Sequence, residues 1–190
     1  MRPRIVARHA ALLALAALLA GPTLAAGPRR GLALAPGDPA PSIDARMLNG
    51  DVFHWKWSDH ALTVLNFWST TCEPCKVEMP ELQKLSDRRK KDGLAVVGVL
   101  MDVVPREAAM DIGVKEGIRY TLVSGNNAIE AQWEGVLVLP VTYLVSRQGT
   151  ILRRYVGAAP EIVQSLVRDA EAVLDGRPLG PIEMPATPPS

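Results

Sequence analysis

Reactive and metal-binding side chains are scarce in this chain of 190 residues. It has two cysteines and three histidines, and aromatic residues make up 5% of the sequence. A structural zinc site needs four ligands at characteristic spacings, and His54 and His60 stand at no such spacing from the cysteines. We therefore expect no metal site and no cofactor, and we expect both histidines to lie at the surface.

The sequence also lacks an excess of charge of either sign. Its 21 lysine and arginine residues face 20 aspartate and glutamate residues, which gives a formal net charge of +1. A nucleic-acid-binding domain usually carries a basic stripe or patch, and none is visible here. We therefore exclude nucleic acid as a partner.

The N-terminus has the pattern of an export signal. Arg2, Arg4 and Arg8 precede an apolar stretch over residues 10–20, and small residues follow at 23–26. The stretch is shorter than the roughly 20 residues that span a bilayer. We predict a signal peptide over residues 1–25, cleaved after Ala25, and a periplasmic location; a permanent N-terminal anchor is the alternative. Cleavage removes three arginines and no acidic residue, so the net charge becomes −2.

Composition divides the remaining chain into three parts. Residues 26–36 contain prolines and arginines without periodicity, which indicates a linker. Residues 37–176 are long enough for one domain with a substantial core. Residues 177–190 form a proline-rich tail that we predict to be disordered.

The two cysteines form the most specific motif. Cys72 and Cys75 enclose Glu73 and Pro74, directly after an apolar run at 62–68 that predicts a buried strand, and a helix is predicted over 75–90. A cysteine at a helix N-terminus is activated, because unpaired backbone N–H groups and the helix dipole favour its thiolate. A purely structural disulfide is the alternative, although so short a loop removes little entropy from the unfolded chain.

Periodicity predicts further elements of an α/β fold. The turn signal at 49–51 separates two short strands and predicts an N-terminal β-hairpin. Apolar runs that alternate with helices indicate a mostly parallel sheet. The additional predicted strands are 94–100, 120–123, 141–145 and 151–156, and the additional predicted helices are 105–116, 126–133 and 160–174.

This order of elements resembles the thioredoxin superfamily, and more narrowly the exported TlpA/ResA/CcmG-like thiol-disulfide oxidoreductases. The resemblance extends from about residue 36 to 174, and its most specific parts are residues 65–80 and 138–143. It implies a central mixed sheet flanked by helices, an N-terminal β-hairpin and a strand–helix insert within 101–133. Thr71 departs from the pattern, since these proteins usually carry tryptophan before the first cysteine.

The motif assigns a role to each residue around the thiols. Cys72 is predicted to be the nucleophile, and Cys75, one turn further into the helix, resolves the mixed disulfide. Pro74 presets the backbone of the first helical turn. Trp68 is expected to support the site by packing, and Glu73 is the acidic neighbour of the nucleophile.

Glu78 is the candidate proton carrier. It follows Cys75 by three residues and so shares a helix face with it. In the family resembled, a glutamate at this place lies beneath the thiols, where it would raise their pKa values and exchange a proton with Cys75. Asn66 stands where thioredoxins carry a buried aspartate. The alternative is a solvent-facing glutamate.

Leu139 and Pro140 are predicted to bind the substrate. From the residues alone, a trans loop proline is the default. The resemblance instead implies a cis Leu139–Pro140 bond facing the cysteines, with the backbone of Leu139 pairing with the incoming substrate chain.

The acidic neighbours Glu73 and Glu78 disfavour a thiolate, whereas Lys76 favours it but is screened by solvent. We therefore predict a monomeric reductant of client disulfides, in cytochrome c maturation or copper-site assembly. The resemblance implies an inner-membrane electron donor of the DsbD or CcdA type. An oxidase or isomerase, a peroxidase and a copper(I) chaperone remain as alternatives.

Overall fold

The computed structural model describes residues 33–133, 136 and 138–181. The predicted signal peptide, most of the predicted linker and most of the predicted tail lie outside these residues. Within the described part of the chain, no helix has the length and apolar character needed to cross a bilayer.

The described residues form a mixed sheet with helices on both faces. In chain order the strands are β1 (Asp44–Met47), β2 (Val52–His54), β3 (Leu62–Trp68), β4 (Leu94–Leu100), β5 (Thr121–Ser124), β6 (Val141–Ser146) and β7 (Ile151–Val156). The helices are α1 (Glu73–Arg89), α2 (Arg106–Lys115), α3 (Asn127–Gln132) and α4 (Pro160–Leu174). The spatial order of the strands is β2-β1-β5-β4-β3-β6-β7.

Strand β3 lies inside the sheet and organises it. All seven of its residues are buried, as its near-continuous apolar sequence predicts. It pairs in parallel with β4 from Leu62↔Leu94 to Trp68↔Leu100, and antiparallel with β6 on its other side. Strand β5 pairs in parallel with β4. Beyond β5, strand β1 pairs antiparallel with β5, and β2 pairs antiparallel with β1 at the edge of the sheet.

The core has a layer on each face of the sheet. On one face, Leu62 and Val64 pack with Leu82 and Leu85 of α1 and with Leu166 of α4. Each fully buried side chain of this kind contributes about 1.5–3 kcal/mol to folding. On the opposite face, Leu65 and Phe67 of β3 and Tyr143 of β6 pack with Ile129 of α3 and with Trp133, which directly follows α3.

Helix α1 begins at the end of β3 because its start is capped. Cys72 has an extended backbone, and its Sγ accepts a hydrogen bond from the backbone N–H of Cys75 at 3.2 Å. Pro74 occupies the first turn, where its missing N–H has no helical partner to lose. The helix begins two residues earlier than predicted because Cys72 itself is the N-cap.

The predicted elements are confirmed, including the N-terminal hairpin and the strand–helix insert. Strands β3, β4 and β7 and helix α4 have the predicted bounds, and the other predicted bounds differ by at most two residues at either end. Such differences at the ends of helices and strands are usual, because the ends are the least sharply defined part of an element.

Gly98 of β4 provides a testable point in this packing. It pairs with Asn66, and a Cβ at Gly98 would lie 2.7 Å from Leu122 Cδ2 and 3.3 Å from Trp68 Nε1. Gly98→Ala is therefore expected to lower the free energy of unfolding by about 1–3 kcal/mol through overpacking. Urea unfolding of the oxidised protein measures this change.

Gly180→Ala is the matched control, because a Cβ at Gly180 meets no atom within 4 Å. Its free energy of unfolding should stay within about 0.5 kcal/mol of the wild-type value. Equal stability of the two variants would contradict the packing described for Gly98.

Candidate active site

The topology of the sheet brings the cysteine motif after β3 and the loop that contains Pro140 before β6 to the same end of these strands. Strand β6 runs antiparallel to β3, so its first residue, Val141, pairs with Phe67 near the end of β3. Pro140 therefore lies beside the point where the chain leaves β3 for Cys72. Leu139 and Cys72 both pack against the apolar cluster that contains Trp68 and Cys75.

Cys72 and Cys75 are joined by a disulfide with an S–S distance of 2.02 Å. The two sulfurs differ in their surroundings, since Cys72 is partly exposed whereas Cys75 has no exposed surface. At the start of α1, backbone N–H groups and the helix dipole stabilise a thiolate on Cys72 when the bond is reduced. The accessible sulfur is thus also the one best placed to carry negative charge.

Glu73 and Lys76 form an ion pair on the first turn of α1, with 2.6 Å between Nζ and Oε1. The hydrogen bond to Lys76, reinforced by its charge, holds the pKa of Glu73 below its ordinary value. The expectation that Lys76 is screened by solvent was wrong, because its side chain is three-quarters buried. Lys76 and Glu73 carry opposite charges in one ion pair, so they oppose each other in their effect on a thiolate at Cys72.

Glu78 is fully buried on α1, three residues after Cys75, so the solvent-facing alternative was wrong. Its Oε2 accepts a hydrogen bond from Asn66 Nδ2 at 2.8 Å, and its Oε1 accepts one from Thr142 Oγ1 at 3.0 Å. Asn66 Nδ2 also donates to Thr142 Oγ1 at 2.9 Å, which closes a ring of three side chains. Sequence reasoning missed Thr142, because only its pairing with Asn66 across β3 and β6 brings it to Glu78.

Burial raises the pKa of Glu78 to about 7 from an ordinary value of 4.5, although the hydrogen bonds from Thr142 and Asn66 favour the carboxylate. At neutral pH both protonation states are therefore populated. The ring accommodates both, because the Thr142 hydroxyl donates to the carboxylate and can accept from the carboxylic acid. Glu78 can thus take up or release a proton without a change in packing.

The Leu139–Pro140 peptide bond is cis, as the resemblance implied. The carbonyl of Pro140 accepts a hydrogen bond from the N–H of Gly157 at 2.8 Å, which ties the loop to the end of β7. Among the described residues, neither backbone polar group of Leu139 bonds to another backbone group.

Trp68 is fully buried and packs with Met79 and Cys75 beneath the motif, as predicted. Of the two histidines in the described part of the chain, His54 is exposed and pairs with Asp44, whereas His60 is partly buried and stacks on Trp55 with ring centroids 4.6 Å apart. Within the described ranges, no group of three or more histidine, cysteine, aspartate or glutamate residues is arranged to hold a metal ion.

Comparison with known proteins places this geometry in a family. The model of the AhpC/TSA family matches residues 36–154. The chain belongs to the AhpC/TSA family. Thiol-disulfide oxidoreductase ResA of Halalkalibacterium halodurans is 28% identical over 127 residues, which are 66% of this chain and 70% of that protein. Thiol:disulfide interchange protein HelX of Rhodobacter capsulatus is 32% identical over 129 residues, which are 67% of this chain and 64% of HelX.

Solved structures agree with these relatives. A protein of Chlorobium tepidum, assigned as the thiol:disulfide interchange protein DsbE, matches with a TM-score of 0.67 at 25% identity. The match covers 75% of this chain and 99% of that protein. The thioredoxin-like fold and the TlpA/ResA-like membership are therefore confirmed, and this AhpC/TSA-family chain is a thiol-disulfide oxidoreductase.

The raised pKa of Glu78 makes stability depend on pH in a defined direction. The native protein keeps a proton on Glu78 that the unfolded chain releases between about pH 4.5 and 7. The stability contributed by Glu78 therefore falls as the pH rises through this window, by about 3 kcal/mol in total. Glu78→Gln removes the titrating group, so its free energy of unfolding should not show this fall.

Urea unfolding of the oxidised proteins between pH 4.5 and 8 measures the difference between variant and wild type at each pH. Glu81→Gln is the control, because it removes a half-exposed carboxylate from the same helix. Parallel stability curves for Glu78→Gln and the wild type would contradict the buried titration.

Proposed function

We propose that the protein is exported to the periplasm and reduces disulfide bonds in client proteins, with Cys72 as the nucleophile. One observation carries this proposal: a partly exposed cysteine at a helix start is bonded to a buried cysteine, and a buried carboxylate lies one turn further along. This arrangement fits a dithiol that opens and closes with proton transfer. An inert structural bridge would not need the carboxylate.

The exchange has two steps. In the reduced protein, the Cys72 thiolate attacks one sulfur of the client disulfide, that bond breaks, and the released client sulfur takes up a proton. Cys75 then loses its proton and attacks Cys72 Sγ, which forms the Cys72–Cys75 bond and releases the second client sulfur. Two electrons pass from the dithiol to the client, which leaves as a dithiol.

Glu78 serves the second step by accepting the proton of Cys75. Residues three apart on a helix have Cβ atoms about 5–6 Å apart, so Cys75 and Glu78 are neighbours on α1. The pKa of about 7 gives Glu78 a substantial ionised fraction at neutral pH, as a general base requires. Asn66 and Thr142 hold the carboxylate in place and have no acidic proton to exchange.

Leu139 and Pro140 form the docking site for the client chain. Leu139 and Cys72 pack against the same apolar cluster, and this placement supports a short β-like pairing between Leu139 and the client. Such pairing would present a client disulfide to the Cys72 sulfur. Thr71 is exposed beside this site and leaves it less covered than a tryptophan would.

The proposed direction is reduction. Negative charge on buried Glu78 disfavours a thiolate nearby, and a destabilised thiolate favours the disulfide form of the protein. The oxidised protein must then be reduced again, and an inner-membrane donor of the DsbD or CcdA type is proposed for this. Proposed clients are apocytochrome c and copper-site assembly proteins, with the protein acting as a monomer.

Equilibrium titration against glutathione and dithiothreitol tests the cycle and its direction. We expect one two-electron transition near the potential of thioredoxin, about −270 mV, and far from the strongly oxidising value of about −120 mV. A potential close to the oxidising value would indicate an oxidase or isomerase. A pair that fails to equilibrate would contradict the proposed function.

The two cysteines should behave differently in trapping experiments. Cys75→Ser leaves the attacking thiol but removes the resolving thiol, so a mixed disulfide with a disulfide-bonded substrate should accumulate on Cys72. Cys72→Ser should accumulate none, because the Cys75 sulfur is buried. Equal trapping by both variants, measured by non-reducing electrophoresis, would contradict the assignment of Cys72.

Glu78→Gln tests the proton transfer. The variant keeps the shape of the side chain but has no proton acceptor of suitable pKa, so reduction of a disulfide-bonded peptide at pH 7 should slow about tenfold or more. Loss of the negative charge should also lower the pKa of the Cys75 thiol. Glu81→Gln should change neither quantity, and unchanged values in Glu78→Gln would remove the proposed role.

A further inference from the structure

Thr70 and Asp102 occupy equivalent places beyond two neighbouring strands. Strands β3 and β4 are parallel and end on the paired residues Trp68 and Leu100. Thr70 follows Trp68 by two residues and Asp102 follows Leu100 by two residues. The carboxyl ends of parallel strands meet at one edge of a sheet, so the two residues lie side by side above that edge.

Asp102 holds Thr70 through three hydrogen bonds. The backbone N–H of Thr70 donates to both carboxylate oxygens, at 3.2 Å and 3.0 Å, and the Thr70 hydroxyl donates to Asp102 Oδ2. Hydrogen bonds to a charged acceptor are about twice as strong as neutral ones. The carboxylate thus fixes the main chain and the side chain of Thr70.

Thr70 lies inside the turn that carries Cys72. The N–H of Cys72 donates to the carbonyl of Ser69 at 3.3 Å, so Thr70 and Thr71 form the middle of this turn. We propose that Asp102 is a positioning residue for disulfide exchange: its carboxylate holds the Ser69–Cys72 turn and places a fixed negative charge near the Cys72 sulfur. The inference rests on the proposed role of Cys72 as the nucleophile.

The Asp102 carboxylate is bonded to the same turn that carries Cys72. Thr70 and Cys72 are separated by two peptide units, so their Cα atoms are at most about 8 Å apart. In the described part of the chain, no cation forms an ion pair with Asp102.

The other charged groups around Cys72 are accounted for separately. Glu73 is paired with Lys76 and is also influenced by Lys115 of α2, and Glu78 is buried below. None of these groups is changed by a substitution at Asp102. A change in the titration of Cys72 in such a variant therefore reports on the Asp102 carboxylate.

Two substitutions separate the charge from the hydrogen bonds. Asp102→Asn removes the charge but keeps an oxygen that accepts from the Thr70 N–H, so the pKa of the Cys72 thiol should fall by about half a unit while the limiting rate at high pH is retained. Asp102→Ala also releases the turn, so the limiting rate should fall about tenfold. Thr70→Val removes only the hydroxyl bond and should lower the limiting rate about threefold, which provides a milder second test.

The experiment measures the pH dependence of the reduction of a disulfide-bonded peptide, together with the ultraviolet absorbance of the thiolate, for each full-length reduced protein. Asp111→Asn is the control, since it removes an exposed aspartate from α2. If the Asp102 and Thr70 variants match Asp111→Asn in pKa and limiting rate while the wild type is active, the inference about Asp102 fails. If the wild type does not reduce the peptide, the proposed function fails instead.

Discussion

The pairing of β3 along both of its edges is the constraint on which the rest of the structure depends. Because β4 is parallel to β3 and β6 is antiparallel to it, the end of β3 meets the end of β4 and the beginning of β6. The residues that follow or precede these strand ends therefore converge, although they are far apart in sequence. Cys72, Asp102 and Pro140 each come from a different strand end, so the site is a consequence of strand direction.

Burial of the Glu78 carboxylate lowers the stability of the fold at a position that the proposed chemistry uses. A buried carboxylate is unfavourable unless it is hydrogen-bonded, and here Asn66 and Thr142 offset part of the penalty but not all of it, since the pKa still rises to about 7. A leucine at this place would pack without the penalty. The remaining penalty keeps the pKa of Glu78 near neutrality, as the proposed proton exchange requires, so stability and the proposed reactivity oppose each other at this position.

Sequence predicted the fold well and the site in part, for identifiable reasons. The bounds of β3 and β4 followed from long apolar runs, and the position of Cys72 at the start of a helix followed from the motif. The cis bond at Pro140 came only from the resemblance, because no local pattern distinguishes it from trans. Thr142 and Asp102 were missed because their contacts depend on strand register, which no local pattern encodes. The Glu73–Lys76 pair, by contrast, was visible in its helical spacing of three.

The proposed direction of electron flow depends on which charges near the thiols remain uncompensated. Glu73 is neutralised by Lys76 on the helix surface, so it contributes little to the balance between thiol and thiolate. Glu78 lies within the core, where screening is weak, and Asp102 is bonded to the turn itself. In the proposed function both carboxylates act against a thiolate and therefore against the reduced protein, whereas the disulfide carries no charge for them to oppose. The helix dipole acts in the opposite sense at Cys72 alone. In the proposed reaction Cys72 thus retains its reactivity as the nucleophile while the pair as a whole favours the disulfide form, which is the combination that a reductant requires.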